Sequence, residues 1–284
     1  MNIDQLINDT LGPVSDFISG IVFFSVPFFG TQLPLIVLWL VVAGIFFTVY
    51  MRGMSWRGMK HAFELVRGKY DRPDADGEVT HFQALSTALS NTLGLGNIAG
   101  VAIAITIGGP GAVFWMVVAG LFAMATKMVE CTLAVKYRTV REDGTISGGP
   151  MYYLKRGLAE LGKPRTGKFL AIGFAFCMTI AMLGLMTFQA NQAAAQVVNV
   201  TTGGLHDFLD GNRWIVGAVM AGFGALVIFG GVKKIAKAAS IMIPFMSATY
   251  IIGCILVIGV NITELGNAVG TIIGGAFNPQ GVAG

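Results

Sequence analysis

Charge is what this chain has least of. Only 12% of its 284 residues are Asp, Glu, Lys or Arg, about half of the roughly 25% usual in a soluble domain. A chain so poor in charge cannot keep a large folded surface in water, which argues against a soluble globular class. Cysteine is almost as scarce, and Cys131, Cys177 and Cys254 each stand alone in an apolar stretch. They show neither disulfide nor metal-ligand spacing. The histidines, His61, His81 and His206, lie outside the apolar runs. With no His or acidic pair sharing a run, the constellation a membrane enzyme needs is missing. Lys and Arg are absent from the first thirty residues, which carry Asp4, Asp9 and Asp16 instead. That is the reverse of a basic signal-peptide start, so no cleaved targeting segment is expected. The net charge of +4 sits in short clusters between apolar spans and does not describe a nucleic-acid surface.

Apolar residues are what the chain has in excess, at 54% with a mean hydropathy of +0.70. About 20 consecutive apolar residues cross a hydrocarbon core of roughly 30 Å. Six such spans are expected, at about Leu33–Met51, Phe82–Gly108, Gly111–Lys136, Phe169–Val200, Trp214–Gly231 and Ile235–Val260. Gly148–Leu161 has the amphipathic pattern of a helix lying along the surface. Pro244, with Ser240 and Ser247 nearby, marks an expected kink in the sixth span, where hydroxyls can bond freed carbonyls.

The basic residues then orient the chain. Six lie between spans one and two, eight between three and four, and three between five and six, so alternate loops hold 17 of the 19 Lys and Arg. The opposite loops hold only Arg213, and Lys127 lies inside the third span. Lys and Arg are retained on the cytoplasmic side, which places the N-terminus extracytoplasmic and makes span two enter from inside. A missed span would scramble the alternation, so the pattern also supports the count of six.

Glycine, at 39 residues, runs near twice its usual share of about 7%. Most of this reads as close helix packing. The run Ser90-Asn91-Thr92-Leu93-Gly94-Leu95-Gly96-Asn97 is different, because it sets two glycines and two asparagines near mid-span. A helix broken there would leave amide N–H groups at the start of its outer half, suited to a carboxylate. It would leave carbonyls at the end of its inner half, suited to a bare cation. A continuous helix packing its glycines on a neighbour is the alternative. No strand precedes Gly94-x-Gly96, which rules out a dinucleotide loop.

Polar residues elsewhere carry two readings each. Gln189, Gln192 and Gln196 share one face of span four; Gln189, the deepest, reads as a substrate contact, and the other two as lining an outer vestibule or a watery rim. Lys127 and Glu130, three apart in span three, read as a structural ion pair or as part of a gate. Tyr152 and Tyr153 read as interfacial anchors.

Four blocks in register carry a family resemblance: Asn91 to Gly100, Gly108 to Met116, Ala125-Thr126-Lys127 with Glu130, and Gly148 to Leu154. Together they resemble the sodium:alanine symporter family, also called the alanine or glycine:cation symporters. Val117, where that family usually has Trp, and Ala123, where it favours Gly, depart from the pattern. Both read as packing positions. The resemblance implies an all-α membrane protein of LeuT type, with two inverted five-helix repeats whose first helices break at the midplane. Span one is then an extra N-terminal helix and spans two to six the first repeat. The implied organisation is an N-terminal segment with one span and a basic loop over 1–81, the first repeat over 82–260, and an extracytoplasmic segment over 261–284. The second repeat lies outside the sequence, so the chain is expected to be the N-terminal portion of a longer parent.

The activity the resemblance implies for that parent is sodium-coupled symport of a small neutral amino acid, alanine or glycine, across the inner membrane. It requires no cofactor beyond the coupling ion. Serine as substrate and a proton as coupling ion stay open at this point. Another LeuT-type cation-coupled solute transporter, or an inactive fragment, is the alternative. The expected partners are the amino acid, sodium and the bilayer. By the same resemblance the amides of Gly94, Leu95 and Gly96 receive the substrate carboxylate, with Thr92 adjacent. The carbonyls of Ser90 and Leu93 contribute to a sodium site, and the Thr92 carbonyl with the Asn97 side chain matches a second ion position. Sodium suits such neutral oxygen ligands.

Overall fold

The computed structural model describes residues 3–28, 31–71, 79–142, 144–278 and Gly281. Arg72, and the end of the chain after Asn278 apart from Gly281, lie outside it. The chain is overwhelmingly helical. A first helix α1 (Ile3–Val22) leads into a short antiparallel hairpin of β1 (Ser25–Phe28) and β2 (Thr31–Pro34), in which Val26 pairs with Leu33. Then come α2 (Leu35–Tyr50), the short α3 (Met54–Arg57) and α4 (Met59–Val66), α5 (His81–Thr92), α6 (Leu95–Gly108) and α7 (Gly111–Lys136). A second hairpin, β3 (Thr139–Val140) with β4 (Ile146–Ser147), precedes α8 (Pro150–Glu160), α9 (Pro164–Val200) and α10 (Gly204–Gly211). The chain continues through α11 (Arg213–Ile228), α12 (Gly231–Val260), a 3-10 turn at Ile262–Glu264 and α13 (Leu265–Ala276).

Local chemistry sets several of these boundaries. Thr80 caps α5 in a reciprocal box: the Gln83 N–H donates to its hydroxyl at 3.2 Å, and its own N–H donates to the Gln83 carboxamide at 3.1 Å, satisfying two otherwise orphaned donors. The two Gly-Gly-Pro blocks do the same backbone job. Gly109 (φ +69°) and Gly149 (φ +107°) turn the chain through left-handed conformations open to glycine. The proline that follows has a fixed φ suited to a helix start, and α7 and α8 begin there.

Among the described residues three helices, α7, α9 and α12, are long and apolar enough to cross a membrane, and α10 with α11, bent by 79°, makes a fourth if counted as one span. α2 and the stretch Asn97–Gly108 are shorter apolar helices. α12 exposes Ile241, Met242, Phe245, Tyr250, Val257 and Ile258, which at about 100° per residue go round much of its circumference. A helix apolar all round belongs in a hydrocarbon environment. What is buried is small: among the described residues six of the ten buried apolar ones are alanines, consistent with the close backbone approach of membrane bundles.

Two compact units divide the chain. One comprises residues 1–57, 101–129 and 262–284. In it α2 meets α7 where a Cβ on Gly44 would come within 3.0 Å of the Phe122 Cβ. The start of α7 meets the end of α13 with no side chain between: a Cβ on Gly111 would fall on the Gly275 carbonyl. The Trp115 indole N–H donates to the Ala276 carbonyl at 2.5 Å, and Phe114, Trp115 and Phe277 form a ring cluster with centroids 5.4–6.3 Å apart. The other unit comprises 58–100 and 130–261. There α5 packs along α12, α8 folds back on α9, and α11 lies between α9 and α12. α12 continues as one helix on both sides of Pro244, the position of the expected kink. The flanking hydroxyls bond carbonyls of their own helix, Ser240 to Lys237 at 2.8 Å and Ser247 to Ile243 at 2.7 Å.

Candidate functional site

The break lies where the glycine-flanked run anticipated it. α5 ends at Thr92, Leu93 and Gly94 are non-helical, and α6 begins at Leu95. The Leu93 N–H still donates to the Leu89 carbonyl at 2.8 Å, and on the far side the Asn97 N–H donates to the Gly94 carbonyl at 3.1 Å. A helix start leaves its first N–H groups without intrahelical acceptors, and a helix end leaves its last carbonyls likewise. Leu95 and Gly96 therefore stand in the amide-rich first turn of α6, and Ser90 stands in the carbonyl-rich last turn of α5 with Leu93 at its C-cap. The side chains of Asn91 and Leu95 fall outside the described residues.

Two of the anticipated ligands touch directly. The Asn97 carboxamide NH₂ donates to the Thr92 carbonyl across the break. In this orientation the amide clasps the end of α5, and offering its oxygen to an ion beside Thr92 requires rotation of that amide. The hydroxyls of α5 all turn back on their own helix: Thr87 to Gln83 at 2.8 Å, Ser90 to Thr87 at 2.7 Å and Thr92 to Ala88 at 3.3 Å. That leaves main-chain carbonyls, not hydroxyl protons, as the polar surface presented by the last turn.

Ser86, one turn earlier, is buried with its hydroxyl on the Phe82 carbonyl at 2.9 Å, on the helix that packs along α12. Sequence reasoning passed over it, and only its spacing of four from Ser90 could have drawn attention to it. Gln189 and Gln192 are half-buried on α9 and Gln196 is exposed. α9 packs on α8, α10 and α11, and α5 on α12, so no extended packing face among the described residues joins Gln189 to the break. Lys127 and Glu130 both lie on α7.

The segment of the break brings no ionisable side chain of its own: no Asp, Glu, Lys, Arg or His occurs from Phe82 to Thr126. What it offers a charge is backbone dipoles and neutral oxygens, which favour an anion at the start of α6 and a hard cation at the end of α5.

The sodium:alanine symporter family model matches residues 20–284. The chain belongs to that family. Among relatives in the sodium:alanine symporter family, it is 41% identical over 245 residues to the sodium/alanine symporter AgcS of Methanococcus maripaludis, covering 86% of this chain and 52% of that protein. It is 34% identical over 245 residues to the amino-acid carrier protein AlsT of Bacillus subtilis, covering 86% of this chain and 49% of that one. With the probable sodium/glutamine symporter GlnT of the same organism it shares 32% over 252 residues, 88% of this chain and 49% of that one. The chain spans about half the length of the curated relatives it matches. Sodium:alanine symporter proteins are transporters, not enzymes, in keeping with the membrane-capable helices and the sparse ionisable side chains of this chain.

Proposed function

We propose that this chain forms the first part of a sodium-coupled symporter for a small neutral amino acid, alanine or glycine, in the inner membrane. In this reading all six spans cross the bilayer with the N-terminus extracytoplasmic. α2, within residues 1–81, is an extra helix. Residues 82–260 form the first five-helix repeat of a LeuT-type core, and 261–284 lie on the extracytoplasmic side. The observation that carries the reading is the interruption of the apolar helix at Leu93–Gly94, with opposite helix ends facing one uncharged gap.

The substrate carboxylate sits on the amides of Gly94, Leu95 and Gly96 with Thr92 beside it, and Gln189 reaches the substrate from α9. Sodium sits on the carbonyls of Ser90 and Leu93, and the Thr92 carbonyl with the Asn97 side chain offers a second ion position once the Asn97 amide turns. A lone charge at mid-membrane costs at least about 2.5–3.5 kcal/mol. Sodium beside the carboxylate of the zwitterionic amino acid makes an ion pair that offsets part of the cost of both charges in the low-dielectric gap, so each raises the affinity for the other. By reciprocity the ion gradient then drives the amino acid. AgcS, named a sodium/alanine symporter, supports alanine and sodium; GlnT is named a probable sodium/glutamine symporter.

The test is counterflow and gradient-driven uptake of labelled alanine in proteoliposomes holding the full-length parent proposed for this chain, with the M. maripaludis symporter assayed in parallel. Uptake that needs an inward sodium gradient and is competed by glycine is expected. Uptake indifferent to sodium, or a sodium leak without amino acid, would overturn the proposal.

A further inference from the structure

The seam between α8 and α9 has a construction that the helix break does not account for. The two helices form a hairpin closed by the turn at Leu161–Lys163. Near that end they touch, since a Cβ on Gly167 would come within 2.8 Å of the Leu154 carbonyl and 3.0 Å of the Leu158 Cβ. Toward the other end they open into a cleft of about 410 Å³ whose lining includes Tyr152, Lys155, Arg156, Lys168 and Ile172. Met151 and Ala175 line this cleft and also a second hollow of about 400 Å³, which continues along α9 past the start of α8 against Met178, Met182, Leu183 and Met186.

The two ends differ in chemistry. Between Lys155 and Lys168 there are five Lys or Arg and one acidic residue, Glu160, whose carboxylate already accepts from the Tyr137 hydroxyl at 2.7 Å. Arg156 lines the cleft too, but its guanidinium is already engaged: it donates to the Tyr137 carbonyl at 3.2 Å and to the Thr139 hydroxyl at 2.7 Å, tying α8 to the end of α7. Lys155 and Lys168, both exposed, are the ammonium groups that line the cleft.

The far end is apolar. Met178, Met182 and Met186 form one stripe at a spacing of four, and the one hydroxyl among them, Thr179, donates to the Ala175 carbonyl at 2.8 Å. From Ala175 to Met186 the helix rises about 17 Å at roughly 1.5 Å per residue, close to half of a hydrocarbon core of roughly 30 Å.

We propose that this seam binds one anionic phospholipid, with its phosphate between Lys155 and Lys168 and one acyl chain along the methionine stripe. Basic clefts between membrane helices attract anionic headgroups. Methionine's unbranched, polarizable side chain conforms to a flexible apolar partner. A cationic end and an apolar groove one leaflet deep match an amphiphile in both charge and length, whereas a free anion would leave the stripe unused.

The experiment uses the full chain in detergent, titrated with dioleoyl phosphatidylglycerol or dioleoyl phosphatidylcholine and read by native mass spectrometry. The expected result is retention of phosphatidylglycerol over phosphatidylcholine by roughly five- to thirtyfold, following the attraction each lysine exerts on an anionic surface. The preference disappears in the Lys155→Gln/Lys168→Gln variant, and Met182→Trp weakens both lipids. A photoreactive benzophenone side chain at Met182, in vesicles of phosphatidylcholine and phosphatidylglycerol at about 3:1, should give a lipid adduct. Equal retention of the two lipids by the unmodified chain would overturn the proposal without any variant. So would a preference surviving the double lysine change, displacement of the lipid by inorganic phosphate alone, or a benzophenone adduct to protein instead of lipid.

Discussion

Replacing Gly111 by alanine tests how closely α7 approaches α13. The added methyl would fall on the Gly275 carbonyl group, with the Ala276 nitrogen only 2.7 Å away. These are backbone atoms, so no side chain can swing aside and α13 itself must move. Overpacking of this kind costs about 1–3 kcal/mol. The same displacement stretches the Trp115 bond to the Ala276 carbonyl, now 2.5 Å, and loss of one such bond adds about 0.5–1.5 kcal/mol. Alanine's better helix propensity returns at most about 1 kcal/mol, leaving a net loss of about 0.5–4.5 kcal/mol. Gly120 on the same helix is the internal control, because a Cβ there would meet nothing within 4 Å. Thermal unfolding of purified protein in detergent, followed by tryptophan fluorescence, should show Gly111→Ala melting several degrees below both the parent and Gly120→Ala. Coincident melting of the two variants would refute the close approach.

Thr80→Ala removes the box that starts α5 and should cost about 0.5–2 kcal/mol, seen as faster amide exchange in the first turn of α5 while α12 keeps its protection. Arg213, donating to Asp210 at 2.6 Å, holds that carboxyl below its ordinary 3.8 through the hydrogen bond first and the charge second. A depressed carboxylate stabilises the fold above its unfolded value, and that contribution fades as pH falls through the folded one. Carbon NMR should therefore find Asp210 titrating below an unpaired Asp, and Arg213→Gln should return it to the ordinary range. Single cysteines at Gly204 and at Glu142, in a chain lacking Cys131, Cys177 and Cys254, should label from opposite sides of the membrane; labelling of both from outside would sink the orientation drawn from the charges.

The long apolar helices were legible because composition and length alone define them. Gly111–Lys136 matches α7 residue for residue, since glycine turns and a basic end bracket an uninterrupted run. The break between α5 and α6 was legible for a different reason: two glycines and two asparagines at mid-span have no bland place in a lipid-facing helix. α9 begins at Pro164, ahead of the expected Phe169. Arg165 and Lys168 interrupt the apolar run without interrupting helical hydrogen bonding, so hydropathy and helix end at different residues. α1 stayed hidden behind Asp4, Asp9, Asp16 and Pro13, and α13 behind small residues with little periodic signal. The short hairpins, β1–β2 and β3–β4, lack the alternating run that announces a strand. At the site, spacing located the carbonyls and amides. The clasp of Asn97 on Thr92 depends on a side-chain rotamer across the break, which no pattern in the chain encodes.

The central claim is that the start of α6 holds the substrate, and Gly94→Leu tests it most directly. Leucine is apolar and a good helix former, so insertion should survive while its side chain fills the approach to the amides and favours a continuous helix. The measurement is sodium-dependent uptake of labelled alanine by the full-length parent in proteoliposomes, with a monodispersity check in detergent. The account predicts folded protein without uptake, and a milder loss for Gly96→Ala. Normal sodium-dependent uptake by a monodisperse Gly94→Leu protein would contradict it.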